Sequence, residues 1–188
     1  MADSILSTRT LFNGWMNVVL ARMRLKDTEV EWPLIEHPSG AAVLAYDPVR
    51  RVALTVRQTR LAVLHAGHAV FPEAVGGVVD DEDAEATARQ EAMEEAGLRL
   101  GDIELVARVW MTPSSTTERV SLYLGAYNQV DRVFQGCGLA DENEHIEVRE
   151  EALADLWEAV QTEVLMDAKL VMLLQALRIK SPHLFERH

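Results

Sequence analysis

Apolar and polar residues alternate in short runs over much of the chain, a pattern that is typical of β-strands. The pair Asp47-Pro48 separates two of these runs, which lie close enough along the chain to form a hairpin. Apolar and polar positions also interleave over residues 10–30, where we predict N-terminal strands. The other predicted strands cover residues 41–46, 52–56, 75–79, 103–110 and 120–127.

The pattern changes to that of a helix at residues 83–96. Asp83 can cap its start, helix-forming residues fill its interior, and Gly97 follows where a left-handed residue often ends a helix. Two further helices are expected between residues 151 and 179, around Met166-Asp167. We predict a loop or a strand segment at 61–72 and a long loop at 131–147. Strands outnumber helices, and the pattern predicts an α+β fold.

Composition and charge narrow the class of protein. Of 188 residues, 48% are hydrophobic and 26% are charged, which predicts a soluble protein of one domain with at most a small accessory piece. The formal net charge of −12 argues against nucleic acid or an anionic membrane as a partner. Cys137 is the single cysteine, and the sequence shows the pattern of neither a signal peptide nor a membrane-spanning run. We therefore expect a cytoplasmic protein.

Three glutamates mark the predicted helix as a candidate metal site. Glu91, Glu94 and Glu95 stand at i, i+3 and i+4, within one sector of the helix. A stripe of small residues suited to packing on a sheet lies beside them: Ala88, Ala92 and Ala96. Like charges at this spacing repel each other, and a hard divalent cation would offset the repulsion. The alternative is an acidic helix face in solvent.

The spacing around this helix resembles the Nudix box, G-x5-E-x7-R-E-U-x-E-E-x-G-U, in which U is a bulky aliphatic residue. The matching positions are Glu82, Glu91, Glu94, Glu95, Gly97 and Leu98. Gln90 replaces the box arginine, directly after Arg89, and Ala92 stands at the first U. The leading glycine is Gly76 by strict spacing, or Gly77 with a loop that is one residue shorter.

The resemblance extends over essentially the whole chain, towards the ADP-ribose pyrophosphatases and the GDP-mannose hydrolases. Pro113 and Thr117-Glu118 resemble their S-P-G…[ST]-E segment, with Ser114 at the usual glycine. Residues 138–144 resemble their acidic loop. Residues 56–60 are similar to their Q-x-R strand end, and residues 12–15 to their N-terminal aromatic segment.

This resemblance implies a Nudix α/β/α sandwich with a mixed sheet and an N-terminal β-strand extension. It implies an N-terminal β segment, residues 1–40, for substrate contact and dimerisation, and a hydrolase domain over residues 41–188. The enzyme would act as a homodimer on a nucleoside-diphosphate sugar, with Mg²⁺ or Mn²⁺ as cofactor.

Carried over by position, the resemblance also implies roles for single residues. Glu91 and Glu95 would be the principal metal ligands, with Glu94 assisting and the carbonyl of Gly76 completing the shell. The expected catalytic residues lie in the acidic loop: Glu142 as the base and Glu144 near the metals. A base is needed within hydrogen-bond reach of the attacking water, and the sequence leaves open which glutamate fills that role.

Three further residues are expected to bind substrate. Arg60 would pair with a phosphate, although it could equally be a surface arginine at a strand end. Trp15 would stack on the nucleobase from the partner subunit, the alternative being a core tryptophan. Glu118 belongs to the segment that follows Pro113. Trp32 departs from the family, which often has arginine in this region.

Three functions follow from these motifs. The leading expectation is hydrolysis of ADP-ribose to AMP and ribose 5-phosphate. GDP-mannose or another nucleoside-diphosphate sugar is the alternative substrate, because the short box loop and the missing arginine look like the GDP-mannose hydrolases. The third hypothesis is a nucleotide-binding Nudix fold with weak or no catalysis, since Gln90 could loosen the carboxylates that bind metal.

Overall fold

A computed structural model describes residues 2–79, 83–134, 146–165 and 167–187. Its strands are β1 (Ser4–Asn13), β2 (Asn17–Leu25), β3 (Thr28–Glu36), β4 (Gly40–Asp47), β5 (Val52–Arg57), β6 (Val75–Val78), β7 (Ile103–Trp110), β8 (Arg119–Ala126) and β9 (Glu147–Ala152). Its helices are α1 (Leu61–His65), α2 (Ala84–Glu94), α3 (Leu153–Gln161) and α4 (Ala168–Lys180), with short 3-10 helices at Gln129–Asp131 and Pro182–Phe185. None of the helices described is both long and apolar enough to cross a bilayer.

The chain divides into two compact units. One comprises Met1–Gly40 and Val109–Val120, and the other comprises Ala41–Arg108 and Ser121–His188. The stretch at 109–120 lies within the hydrolase domain predicted from the sequence. The boundaries and the roles of the two predicted domains remain predictions.

The first unit is built on a three-stranded antiparallel sheet in the order β1-β2-β3. β1 and β2 form one hairpin, closed by the pair Asn13 and Asn17, and β2 and β3 form a second, closed by Leu25 and Thr28. All ten side chains of β1 are exposed. The predicted N-terminal strands are therefore confirmed, and β1 contributes little to a core.

Residues 109–120 are hydrogen-bonded to the end of β3. The N–H of Ile35 donates to the carbonyl of Ser115 at 2.8 Å, and the N–H of Thr117 donates back to the carbonyl of Ile35 at 3.0 Å. The hydroxyl of Thr117 accepts from the N–H of His37 and donates to its carbonyl, at 2.8 and 2.9 Å. These hydrogen bonds between Ser115 or Thr117 and the end of β3 explain why this stretch, which includes Pro113, belongs to the N-terminal unit.

The larger sheet has six strands in the order β7-β8-β4-β5-β9, with β6 paired to β4. β4 and β5 form the predicted hairpin, with Tyr46 opposite Ala53 and Asp47 opposite Val52. Ten of the fourteen residues of β4 and β5 are buried, which explains why these strands appear as continuous apolar runs in the sequence. Together with the helices this sheet confirms the predicted α+β class.

The core of the larger unit lies between α2 and the sheet. Ala88, Ala92 and Ala96 are fully buried, as the sequence predicted. They pack in one cluster with side chains of β4, β5, β6 and β8, among them Val43, Leu54, Val75 and Tyr123. Small side chains on the helix bring its axis close to the sheet, and this short distance places the carboxylates beside the strands.

Two predicted segments are corrected by the structure. Residues 61–72 were predicted as loop or strand, but they begin with the five-residue helix α1. None of the residues of α1 is buried, and its sequence therefore has no amphipathic pattern that could have predicted a helix. The strand β9 occupies residues that were predicted as loop and helix. Four of its six residues are charged, and Glu151 pairs with Arg57 across the sheet, so ion pairs replace the apolar alternation that would indicate a strand.

A polar cluster joins the β4–β5 turn to β9. Arg50 donates to Asp47 at 2.6 Å and makes two hydrogen bonds to Glu150, at 2.7 and 2.9 Å, and the hydroxyl of Tyr127 also donates to Glu150. The hydrogen bonds from Arg50 lower the pKa of Glu150. Burial acts to raise the pKa of Asp47, but the hydrogen bonds from Arg50 and Val49 outweigh it and lower that pKa. Burial and the bond to Glu150 raise the pKa of Tyr127.

Replacing Arg50 by methionine should therefore destabilise the protein in a pH-dependent manner. Loss of these charge-assisted hydrogen bonds should lower the free energy of unfolding by about 2 kcal/mol at neutral pH. Both carboxyls have a lower pKa in the folded state, so the stabilisation is present above their ordinary values of 4.5 and 3.8 and is lost as the pH falls further. Urea unfolding of both proteins across this range tests the effect.

The control is Arg187→Met, which removes exposed ion pairs to Asp155 and Glu158 and should change stability little at any pH. A stability difference between wild type and Arg50→Met that stays constant into the acid range would contradict the assignment of the lowered pKa values to Arg50.

Candidate active site

Helix α2 is capped at both ends by its own sequence. The carboxylate of Asp83 accepts hydrogen bonds from the N–H groups of Glu85 and Ala86, at 3.1 and 3.0 Å, which confirms the predicted N-cap. At the other end Gly97 has φ = +63°, and its N–H donates to the carbonyl of Met93 at 3.0 Å. This is the left-handed C-cap that the glycine predicted. The two caps fix the part of the helix that carries the glutamates.

Strand β6 lies close to both α2 and β4 because it has a glycine at each point of contact. A Cβ atom added at Gly77 would overlap the carboxylate of Glu91, and one added at Gly76 would lie 2.8 Å from Cα of Ala42 in β4. Successive residues of a strand point to opposite faces, so one glycine admits the helix side chain and the other admits the neighbouring strand. The close approach predicted for Gly76-Gly77 is confirmed.

Glu95 contacts the same strand. Its side chain is 5% exposed, and Oε2 accepts a hydrogen bond from the N–H of Gly76 at 3.2 Å. Glu91, one helical turn earlier, is half-buried and lies against Gly77. Two carboxylates of the predicted set are therefore held together beside the main chain of β6.

Glu94 is held differently. Its Oε1 accepts a hydrogen bond from the side-chain amide of Gln90 at 2.9 Å. Arg89 does not take the place of the missing arginine, because it donates to Glu85 and to the carbonyl of Leu100. The neutral amide at position 90 thus orients Glu94 without adding a positive charge to the carboxylate face.

The residues beside β6 fit a small divalent cation, although no metal-ligand cluster of three or more His, Cys, Asp or Glu side chains occurs within 2–79, 83–134, 146–165 and 167–187. Mg²⁺ needs only one or two carboxylates, with water and phosphate oxygens as its other ligands. Glu91 and Glu95 supply two carboxylates next to the main chain of Gly76. The donor set is of the hard oxygen type that Mg²⁺ and Mn²⁺ prefer.

Arg60 lies in the same unit and is engaged by a buried carboxylate. Its guanidinium contacts Glu73 at 3.0 Å, and the side chains of the two residues are 42% and 7% exposed. Glu73 also exchanges two main-chain hydrogen bonds with Val56, at 3.0 and 2.8 Å. Arg60 is therefore anchored just ahead of β6, and the predicted phosphate contact remains a prediction.

Two predicted substrate residues belong to the N-terminal unit. Trp15 lies in the turn between β1 and β2, is 76% exposed and has its ring edge-on to His37, so the alternative of a core tryptophan is wrong. Glu118 is half-buried at the end of the segment that follows Pro113, where its carbonyl accepts from the N–H of Met111. The predicted contacts of both residues with substrate remain predictions.

The acidic-loop glutamates Glu142 and Glu144 lie outside the described residues, as does Glu82 of the box. Conversely, the structure draws attention to two buried carboxylates that were not among the predicted site residues: Glu73, 5% exposed, and Asp167, 6% exposed. Asp167 stands directly before α4, so its position as a helix cap could have indicated it. Nothing in the local pattern indicates that Glu73 is buried.

The chain matches the NUDIX domain over residues 36–173. The match covers most of the chain and includes α2 and β6, and the chain belongs to the Nudix family. The Nudix fold and the hydrolase class predicted from the sequence are thereby confirmed.

Three curated relatives with similar sequences share one name. The chain is 34% identical over 160 residues to the GDP-mannose pyrophosphatase of Cronobacter sakazakii, covering 82% of this chain and 83% of the relative. It is 29% identical over 183 residues to the GDP-mannose pyrophosphatase of Klebsiella pneumoniae, covering 93% and 90%. The enzyme of that name from Salmonella paratyphi B is 31% identical over 142 residues, covering 74% and 73%.

The two glycines of β6 should respond differently to alanine. In Gly77→Ala the new methyl group displaces the flexible end of Glu91, so the protein should fold normally but lose divalent-metal binding by about tenfold or more. In Gly76→Ala the methyl group meets the backbone of β4, so the fold itself should be destabilised. Thermal unfolding together with Mn²⁺ titration separates the two effects.

Gly101→Ala is the matched control, because a Cβ atom there meets no other atom within 4 Å. This variant should resemble the wild type in both measurements. Normal metal binding by folded Gly77→Ala would argue against a metal site beside this strand.

Proposed function

We propose that the protein hydrolyses the diphosphate bond of a nucleoside-diphosphate sugar, with GDP-mannose as the first candidate and ADP-ribose as the second. The order reverses the leading expectation from the sequence. The shared name of the relatives, over 74–93% of this chain, supports the change. The observation that supports diphosphate chemistry is the pair of carboxylates, Glu91 and Glu95, held against Gly76 and Gly77.

The substrate and the site are both anionic, and this requires a cation between them. When bound, Mg²⁺ or Mn²⁺ would neutralise the diphosphate and lower the pKa of the attacking water. Glu91 and Glu95 would hold the cation, and the carbonyl of Gly76 would complete its protein ligands. Gln90 holds Glu94 in place for an assisting role. Water then attacks phosphorus, the P–O–P bond breaks, and GDP-mannose yields GMP and mannose 1-phosphate.

The remaining parts of the proposal depend on the sequence resemblance. Glu142 is proposed as the base that takes the proton from water, with Glu144 near the metals. Arg60 is proposed to bind phosphate, and Trp15 and Glu118 to contact substrate. The exposure of Trp15 supports a contact with a partner subunit, as in a homodimer. A cytoplasmic location is proposed because a chain with a single cysteine fits a reducing compartment.

A substrate panel tests the order of the two candidates. With Mg²⁺ present, turnover per KM should be higher for GDP-mannose than for ADP-ribose, and the released nucleoside monophosphate can be measured by chromatography. Mn²⁺ should substitute for Mg²⁺. Faster hydrolysis of ADP-ribose would restore the first expectation. Tight nucleotide binding without any turnover would favour the third hypothesis, a binding protein of the Nudix fold.

Glu95→Gln tests the metal site. The amide keeps the size of the side chain and an acceptor for Gly76 but removes the charge that a cation requires, so turnover should fall by about a hundredfold or more. Glu85→Gln is the control, because Glu85 lies on the exposed side of the same helix and pairs with Arg89. Full activity in Glu95→Gln would mean that the metal site is misassigned.

A further inference from the structure

Asp167 is a buried carboxylate outside the Nudix box that makes more contacts than a helix cap needs. Its Oδ1 accepts from the N–H and the ammonium group of Lys169, at 3.2 and 2.7 Å. Its Oδ2 accepts from the N–H of Leu170 at 3.2 Å and from the N–H of Ala74 at 3.0 Å. Three of these bonds serve α4 itself. The fourth reaches a residue 93 positions earlier, just before β6.

The bond to Ala74 falls on the strand that carries the proposed metal site. In an extended chain the N–H groups of residues two apart point to the same edge. Ala74 donates to Asp167 and Gly76 donates to Glu95, so two carboxylates accept the N–H groups along one edge of this segment. The main chain of Glu73 faces the other edge and exchanges two hydrogen bonds with Val56 of β5. The main chain before Gly77 is thus held from both sides.

We infer that Asp167 is a positioning residue for catalysis: by holding Ala74 it fixes the main chain of Gly76 and Gly77 against Glu95 and Glu91. The inference rests on the proposed metal site. A metal ligand that is displaced by a fraction of an ångström binds its cation less well, and partners that orient the ligands therefore affect affinity. Asp167 does not touch the reacting atoms and acts only through β6.

The cap and the tether can be separated by choice of side chain. Serine is a good N-cap, so Asp167→Ser should still accept from the first turn of α4, but its side chain is too short to reach Ala74 as well. Asparagine keeps the length and one acceptor oxygen, which can still accept from Ala74 and Leu170. Asp167→Asn therefore loses the ion pair with Lys169 but keeps the tether.

Asp47 supplies a matched control. It is 3% exposed, accepts from two main-chain N–H groups and pairs with a cation, Arg50, so it shares the local bonds of Asp167 but not the bond to Ala74. Asp47 is the last residue of β4, whereas Ala41 and Ala42, which contact Gly76, lie near the start of that strand. Asp47→Ser should lower stability without affecting β6.

The experiment measures Mn²⁺ binding to the full chain by electron paramagnetic resonance, well below the unfolding temperature, with near-ultraviolet circular dichroism as a check of the fold. Asp167→Ser should raise the Kd for Mn²⁺ by about tenfold or more. Asp167→Asn and Asp47→Ser should bind Mn²⁺ like the wild type. The readout needs no substrate, so it does not depend on which sugar nucleotide is hydrolysed.

Wild-type affinity in folded Asp167→Ser would overturn the inference. So would an Asp167→Asn variant that binds as weakly as the serine variant, because it retains the acceptor for Ala74. If Asp167→Ser does not fold, Asp167→Thr takes its place, because threonine is also an N-cap that is too short to reach Ala74, and it should show the same raised Kd. A wild-type protein that binds no Mn²⁺ would refute the proposed metal site instead.

Discussion

The contact of Glu91 and Glu95 with the main chain of β6 is the constraint on which the site depends. It requires a helix axis close to the sheet, and the buried alanines of α2 allow that distance. It also requires a strand without side chains at the point of contact, and Gly76 and Gly77 meet that need. Larger residues at any of these positions would move the carboxylates away from the strand.

The carboxylates also repel one another, and the surrounding structure reduces this cost in different ways. Glu95 accepts a hydrogen bond from Gly76, and Glu94 accepts one from Gln90. Both of these bonds come from neutral donors, so neither adds a positive charge to the face. Elsewhere in the larger unit carboxylates are neutralised directly by guanidinium groups, as in the pairs of Arg50 with Asp47 and Glu150.

The box helix, the hairpin of β4 and β5 and the N-terminal strands could be predicted because each has a local signal: caps, turn residues or apolar runs. β9 could not, because its side chains are stabilised by ion pairs with other strands and leave no apolar period. Of the site, the two glutamates beside β6 follow from helical spacing. The partnership of Glu73 with Arg60 and of Asp167 with Ala74 could not be predicted, since both depend on contacts between distant segments.

The adjacent glycines of β6 have one more consequence. A strand normally encodes its alignment with its neighbours in its side chains, because a slip by one residue turns every side chain to the opposite face. Gly76 and Gly77 have no side chains, so these two residues cannot themselves specify how the strand is aligned with its neighbours. Two contacts of the preceding residues set the alignment instead: the bridge between Glu73 and Val56, and the hydrogen bond from Ala74 to Asp167. The alignment of the two glycines with α2 and β4 therefore depends on their neighbours along the chain.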